Sequence, residues 1–286
     1  MTSTEPKSTL EVHQAIQFGQ EQFGLTRLDA QMLVLHACEL QIHDRAWLVA
    51  HSDKVLNVKA QARYLNFLQR RAGLEPLAYI TGVKEFFGLL LHIDKRVLDP
   101  RPETETLVEW ALTCVADTSS PHIADLGTGS GAIALALKHS LPSAQVTAVD
   151  ASADAIDLAI ANAHRLGLAI VTHVGNWCEP LAGQSLDLIV SNPPYVADGD
   201  THLAQLPHEP LSALVAGKDG LDDLRQIVAQ SAKHLKPGAW LLLEHGFDQA
   251  QAVQDMLGNQ GFIAVQSRQD LAGILRCTGG QWPRVK

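Results

Sequence analysis

From residue 122 onward the chain alternates apolar, β-rich runs with helical stretches, and no other feature restricts its fold as strongly. His122 to Leu126, Gln145 to Val149, Ile170 to Val174 and Leu186 to Val190 read as strands, and the Ala/Leu-rich segment 132 to 139 reads as a helix between the first two. Strands joined through helices pair in parallel with helices covering both faces, so an α/β fold with a Rossmann-like sheet is expected. Ligands of such sheets sit at the carboxyl ends of the strands, where the strand order reverses.

The first such strand end carries Asp125-Leu126-Gly127-Thr128-Gly129-Ser130-Gly131. Alternate glycines let backbone N–H groups come close to a ligand as the strand turns into its helix. Read alone, the loop is ambiguous, because Gly127, Gly129 and Ala132 also satisfy a loose dinucleotide fingerprint. The second strand ends in Asp150, where a carboxylate can accept from both hydroxyls of a ribose, while Ser152 suits the N-cap of the next helix. Asp125 is positioned to take the cationic amino group of a methionine moiety, which a nicotinamide cofactor lacks. Trp177 follows the third strand, either as a flat surface for adenine or as an ordinary half-buried tryptophan.

The fourth strand runs into Ser191-Asn192-Pro193-Pro194-Tyr195, the most specific motif of the chain. Two prolines remove two N–H donors and leave a loop rich in acceptors, which suits an NH₂ group. The Asn192 side-chain oxygen and the Pro193 carbonyl can each accept one N–H of such a group, with Pro194 stiffening the loop and Tyr195 packing on the flat acceptor. In-line methyl transfer from a sulfonium needs the nitrogen held about 3 to 3.5 Å from the methyl carbon. Hydrogen bonds to that nitrogen strengthen as positive charge builds on it, so they favour the transition state over the ground state.

With 286 residues, the chain exceeds one ordinary domain. Residues 1–75 show helical spacing: Ser8 and Glu11 form an S-x-x-E capping box ahead of Val12, Ile16 and Phe23, a second helix carries Ala30, Leu33, Val34, Ala37 and Leu40, and a third starts at Asn57 with Val58, Ala62, Leu65 and Leu68 inward. This part either adds stability only or docks a macromolecular substrate. Residues 76–100 form a linker with a short hairpin around Gly88, and 101–286 form the sheet domain, entered through an extended Pro100-Arg101-Pro102 and a helix capped by Thr104 or Thr106.

A net charge of −9 opposes a broad phosphate-backbone footprint, so no nucleic-acid partner is expected. Cys38, Cys114, Cys178 and Cys277 lie far apart, and the 13 histidines show no metal-ligand spacing, so no metal is expected. No apolar run is long enough for a signal peptide or membrane span, which leads to a cytoplasmic protein as the expectation. A monomer is expected as well.

Taken together, the hairpin around Glu85-Phe86-Phe87-Gly88, Pro100 to Glu105, Asp125 to Gly131, Asp150, Trp177, Asn192 to Tyr195 and His208-Glu209-Pro210 resemble the HemK/PrmC family, the release-factor glutamine methyltransferases. The resemblance covers nearly the whole chain. It implies a seven-stranded class I methyltransferase sheet behind a helical N-terminal domain. It implies S-adenosyl-L-methionine held by Asp125, Gly127, Thr128, Gly129, Ser130, Gly131, Asp150 and Trp177, with Asn192 beside it. It also implies an acceptor glutamine, in the Gly-Gly-Gln loop of class I peptide chain release factors, gripped by Asn192, Pro193, Pro194 and Tyr195 and methylated on its side-chain amide nitrogen. Two departures stand out: Asp99 occupies a position that is usually apolar in relatives, and the chain itself carries Gly279-Gly280-Gln281. The rival enzymes are a DNA amino-methyltransferase, opposed by the acidic balance, and a ribosomal-protein glutamine methyltransferase, opposed by Arg101 to Glu105. A dinucleotide oxidoreductase or a sensor of the cofactor leaves the Asn-Pro-Pro-Tyr motif without a task.

Overall fold

Apolar spacing calls for helices at the start of the chain, and the computed structural model, which describes residues 9–284, has them. They are α1 (Val12–Phe23), α2 (Arg27–Ala37), α3 (Arg45–Ala50), α4 (Val58–Ala72) and α5 (Leu77–Thr81). The expected Ser8 cap lies outside the described residues. Glu11, assigned to the far end of that box, is itself the N-cap, exchanging hydrogen bonds with Gln14. Asn57 caps α4 as expected, accepting from the Ala60 N–H at 2.8 Å.

Of the residues expected inward on α4, Leu68 is buried and Leu65 packs against the core, but the face is centred on Ala60 and Tyr64. Ala60, Tyr64 and Leu68 are buried, whereas Val58 is 77% exposed. The tyrosine decides this phase: its hydroxyl donates to the Ala15 carbonyl at 2.8 Å, and the i, i+4 row through it must follow it inward. Gly19 of α1 faces the same hydroxyl, and a Cβ there would lie 2.5 Å from it, so the two helices cross where α1 lacks a side chain. The residues through Gly82 form one compact unit together with His202–His208, in which a His208 ring nitrogen meets the Gly73 carbonyl at 2.9 Å.

A second unit holds Val83–Thr201 and the chain from Glu209 onward. The stretch 76–100 is therefore shared, with α5 in the helical unit and the hairpin β1 (Val83–Phe86) and β2 (Leu89–His92) in this one. Phe87 and Gly88 both have positive φ, 49° and 75°, the handedness that a two-residue hairpin turn requires. α6 (Glu105–Cys114) precedes β3 (His122–Leu126), α7 (Ala132–Ser140), β4 (Gln145–Asp150), α8 (Ala153–Leu166), β5 (Val171–Val174) and β6 (Leu186–Ser191). α9 (Asp222–Ser231), β7 (Leu235–Glu244), α10 (Ala250–Gln260), β8 (Ile263–Gln269) and β9 (Leu275–Gln281) complete it. Asn162 of α8 fixes the hairpin by accepting from the His92 N–H at 2.7 Å and donating to the His92 carbonyl at 3.0 Å.

The seven strands order as β5-β4-β3-β6-β7-β9-β8, parallel except for β9, which runs against both neighbours. This is the expected seven-stranded α/β sheet. The chain order reverses at β3, between β4 and β6, so the carboxyl ends of these three strands form the crevice where a ligand is expected. Buried Leu126, Ile189, Leu241 and Leu243 fill the core beneath it.

Gly279-Gly280-Gln281 has a structural explanation. A Cβ on Gly279 would run into the Leu242 side chain and lie 2.8 Å from the Leu241 carbonyl, and one on Gly280 would lie 2.9 Å from Phe262. The Gln281 amide donates to the Gly238 carbonyl at 2.7 Å. The tripeptide is a strand of the sheet, not a free loop. Among the described residues no helix is long and apolar enough to cross a membrane.

Candidate active site

The loop after β3 is held from below and from the side. Gly127 N–H and Thr128 N–H both donate to the Val149 carbonyl of β4, at 2.8 and 3.0 Å, and Gly129 N–H donates to Asp150 at 2.9 Å. Gly127, Gly129 and Gly131 all have positive φ, and this lets three tight turns follow one another. Above Gly127 lies the ring of Trp177, 3.3 Å from where a Cβ would be. Trp177 itself has φ 47°, a conformation costing roughly 1 to 2 kcal/mol for a residue with a side chain, and it brings the indole over the loop.

Around this loop lies a cavity of about 360 Å³, within the size range of small-molecule sites. Gly127, Thr128, Gly129, Ser130, Asp150 and Trp177 line it, as do Asn192 and Pro194. Asp150 spends one oxygen on Gly129 N–H and the other on Ser152 N–H, each at 2.9 Å. A carboxylate has about four acceptor positions, so both oxygens retain capacity for hydroxyls. Burial holds this carboxyl above its usual range, against the pull of the two N–H groups. Ser152 caps α8 as expected, accepting from Ala155 N–H at 3.2 Å.

Four residues expected at the site stand behind the cavity wall. Gly131 does not line it; there a Cβ would press on Leu135 at 3.1 Å and on Ala159 at 3.2 Å, so the glycine serves helix packing. Asp125 has no exposed surface. Its Oδ2 accepts from the Thr128 hydroxyl at 2.6 Å and the Ala134 N–H at 3.1 Å, bracing the loop, while Oδ1 has no partner. Burial pushes its pKa up to about 7, with the Asp150 charge adding to the rise and the two hydrogen bonds opposing it. Pro193 is buried and Tyr195 half-buried, neither lining this cavity.

Asn192 and Tyr195 are fixed by residues that the sequence did not single out for this task. The Asn192 amide nitrogen donates to the Thr104 hydroxyl at 3.1 Å, so the atom its side chain has to offer a ligand is the oxygen. Thr104 makes no side-chain cap for α6, because its hydroxyl is engaged here. Pro102 opens a tight 3₁₀ turn, Pro102–Thr104, instead of prolonging an extended strand, and that turn delivers Thr104 to the cavity. Tyr195 donates to Glu244 at 3.3 Å. The turn is anchored in turn: Arg101 pairs with buried Glu209, and Glu209 also accepts from the Asp99 N–H at 3.3 Å. Asp99 is tolerated in this buried place because Lys84 reaches it at 3.1 Å. Asp223 of α9 also lines the cavity, its carboxyl raised by burial and by Asp222 and lowered by a hydrogen bond with Trp177. In sequence, Glu244 was visible only as an ionisable residue ending the apolar run Leu241-Leu242-Leu243 at the ligand-facing end of a strand.

The cavity fits an adenosyl ligand bearing a methionine arm. A loop of closely packed backbone, which a Cβ on Gly127 would obstruct, leads from an indole face to a carboxylate with spare acceptor positions. Asn192 offers its oxygen at the rim.

Residues 12–82 match the model of the PrmC N-terminal domain and residues 105–209 that of the methyltransferase small domain. The release factor glutamine methyltransferase of Xylella fastidiosa strain Temecula1 is 48% identical over 262 residues, 91% of this chain and 94% of that protein. The same enzyme of Bordetella pertussis is 45% identical, covering 90% of this chain and 95% of its own. Among solved structures, the hMettl16 catalytic domain in complex with MAT2A 3′UTR hairpin 1 superposes with a TM-score of 0.57 at 17% identity, covering 82% of this chain and 84% of that one. A methyltransferase from Pyrococcus furiosus gives 0.52 at 16% identity, covering 70% and 91%. These two likenesses concern the fold.

Proposed function

The chain belongs to the release factor glutamine methyltransferase family, and from that premise we propose that its Asn192 to Tyr195 loop holds the acceptor glutamine beside a cofactor seated on Gly127 to Ser130. The chain is an S-adenosylmethionine-dependent methyltransferase acting on the glutamine of a release factor. The single observation that carries the site assignment is the Asn192 amide, whose nitrogen is tied to Thr104 so that an oxygen meets the acceptor NH₂.

When bound, S-adenosylmethionine supplies the methyl group from its sulfonium. Asp150 would hold the ribose hydroxyls with the capacity left on its two oxygens. Trp177 would offer its indole to the adenine, and the Gly127 to Ser130 backbone would hold the methionine arm. Asp125 keeps that backbone in shape through Thr128 and Ala134. Asn192 orients the acceptor nitrogen through its side-chain oxygen, and the positive charge that develops there strengthens that hydrogen bond without any strong base. As it gains the methyl group, the amide nitrogen would release one proton to solvent.

The acceptor we assign is the glutamine of a Gly-Gly-Gln loop in a class I release factor, with the helical unit docking that protein. The net charge of −9 supports a protein over a nucleic-acid partner. The enzyme works as a monomer in the cytoplasm, where its substrate acts. The test is transfer of labelled methyl to a class I release factor by wild type and by Asn192→Ala. The variant is expected to keep cofactor affinity in calorimetry and lose transfer by roughly a hundredfold. Equal transfer by both would remove Asn192 from the acceptor site.

A further inference from the structure

Two surface loops near the Asn192 to Tyr195 loop hold apolar side chains out in water, and both are tied down. After β7 the chain turns through His245, Gly246 and Phe247, and Phe247 is 67% exposed. Gln249 locks this turn to the acceptor loop: its side-chain oxygen accepts from the Gly246 N–H at 2.8 Å, and its side-chain NH₂ donates to the Tyr195 carbonyl at 3.0 Å. Gly220 closes on the same carbonyl, where a Cβ would collide with it.

The second loop joins β8 to β9. Because β9 runs against both neighbours, this turn lies at the same edge of the sheet as the ends of β6 and β7. Leu271 at its tip is fully exposed, and Ile274 and Leu275 are exposed beside it. Asp270 makes the turn rigid: Oδ1 accepts from the Ala272 and Ile274 N–H groups at 2.9 and 3.0 Å, and Oδ2 from Arg276 Nε at 3.1 Å. The two loops adjoin, since the His245 N–H donates to the Arg276 carbonyl at 2.9 Å.

A single apolar side chain in water is ordinary, whereas several on adjoining, hydrogen-bonded loops form a patch suited to a protein partner. Position says which partner. A glutamine in a protein loop reaches Asn192 and Tyr195 only if the chain on either side of it lies on the surface around them, and the Phe247 turn is fastened to Tyr195. Charge points away from nucleic acid: Asp270 matches Arg276, and exposed Asp248 next to Phe247 repels phosphate.

We propose that Phe247 and Leu271, with Ile274 and Leu275, form a docking rim for the protein substrate, taking apolar side chains of the release factor close to its acceptor glutamine. This rests on the assignment of the Asn192 to Tyr195 loop to that glutamine. Contacts remote from the reacting atoms hold ground state and transition state alike, so the rim sets affinity for the release factor and leaves turnover at saturation unchanged.

The test measures the Kd of a class I release factor for the full chain loaded with S-adenosylhomocysteine, the cofactor without its methyl group, by calorimetry, and kcat at saturating release factor. Phe247→Ala and Leu271→Ala should each raise Kd about tenfold and Leu271→Asp about a hundredfold, with kcat and cofactor affinity within about twofold of wild type. Ile160→Ala, which trims an exposed apolar side chain of α8 instead, should change nothing. Wild-type Kd in both alanine variants of the rim, or an equal loss in Ile160→Ala, would overturn the proposal. A wild-type dimer in sedimentation that Leu271→Asp dissociates would also overturn it, because a second copy would then cover the patch. Failure of the wild type to methylate a release factor, or full transfer by Asn192→Ala, would remove the underlying assignment instead.

Discussion

Replacing Asp150 by alanine separates cofactor binding from loop support. The carboxylate lies on the cavity with one backbone N–H on each oxygen, leaving acceptor capacity for two ribose hydroxyls. Each charge-assisted bond is worth about 1.5 to 3 kcal/mol, so losing two removes about 3 to 6 kcal/mol of binding. At about 1.4 kcal/mol per decade, affinity should fall roughly 100- to 10,000-fold. Gly129 and Ser152 N–H also lose their acceptor, which should cost about 1 to 3 kcal/mol of stability in the free protein. Asp150→Asn is no gentler, because one amide hydrogen must face one of those N–H groups. Calorimetric titration with the cofactor measures the first effect, and denaturant unfolding without it the second. Affinity within threefold of wild type, alongside the expected loss of stability, would refute the ribose assignment and leave Asp150 as a loop brace.

Gly279→Ala should destabilise by about 3 kcal/mol, since the added methyl meets the Leu242 side chain and the Leu241 backbone oxygen; an unfolding midpoint unchanged from wild type would contradict that packing. Asp125 tests the buried charge of the loop. Its folded pKa is raised from the ordinary 3.8 to about 7, so the stability it confers is complete below pH 4 and is lost as pH rises to 7, by on the order of 4 kcal/mol. Asp125→Asn should therefore gain on wild type by a few kcal/mol between pH 4 and pH 8 in urea unfolding, and a parallel pH dependence of the two proteins would sink the argument. Gly127→Ala should weaken cofactor binding at least tenfold, because the methyl crowds Trp177 and φ is 72°; unchanged affinity would show that the loop gives way.

What the sequence made legible was the part governed by local rules. Alternation from residue 122 announced the sheet, and glycines at 127, 129 and 131 announced a turn that only positive φ allows. The inward phase of α4 was misread because a tyrosine, polar at its tip, was not counted as core until its hydroxyl found the Ala15 carbonyl. Asp125 and Gly131 were read from sequence as facing a ligand, but their contacts within the chain could not be: Asp125 accepts from Thr128 and Ala134, and Gly131 leaves room for Leu135 and Ala159. Thr104 could not be connected with Asn192, nor Glu244 with Tyr195, from spacing, as 88 and 49 residues separate them. The sheet sets the ends of β6 and β7, and so Tyr195 and Glu244, side by side, while the turn Pro102–Thr104 brings Thr104 to Asn192.

The account as a whole predicts where a methyl group goes. Wild-type enzyme, cofactor and a class I release factor should yield, on peptide fragmentation by mass spectrometry, the mass of one added methyl on the side-chain nitrogen of the glutamine in Gly-Gly-Gln. A methyl found on another residue of the release factor, or on DNA or a ribosomal protein supplied in competition while that glutamine stays unmodified, would contradict it.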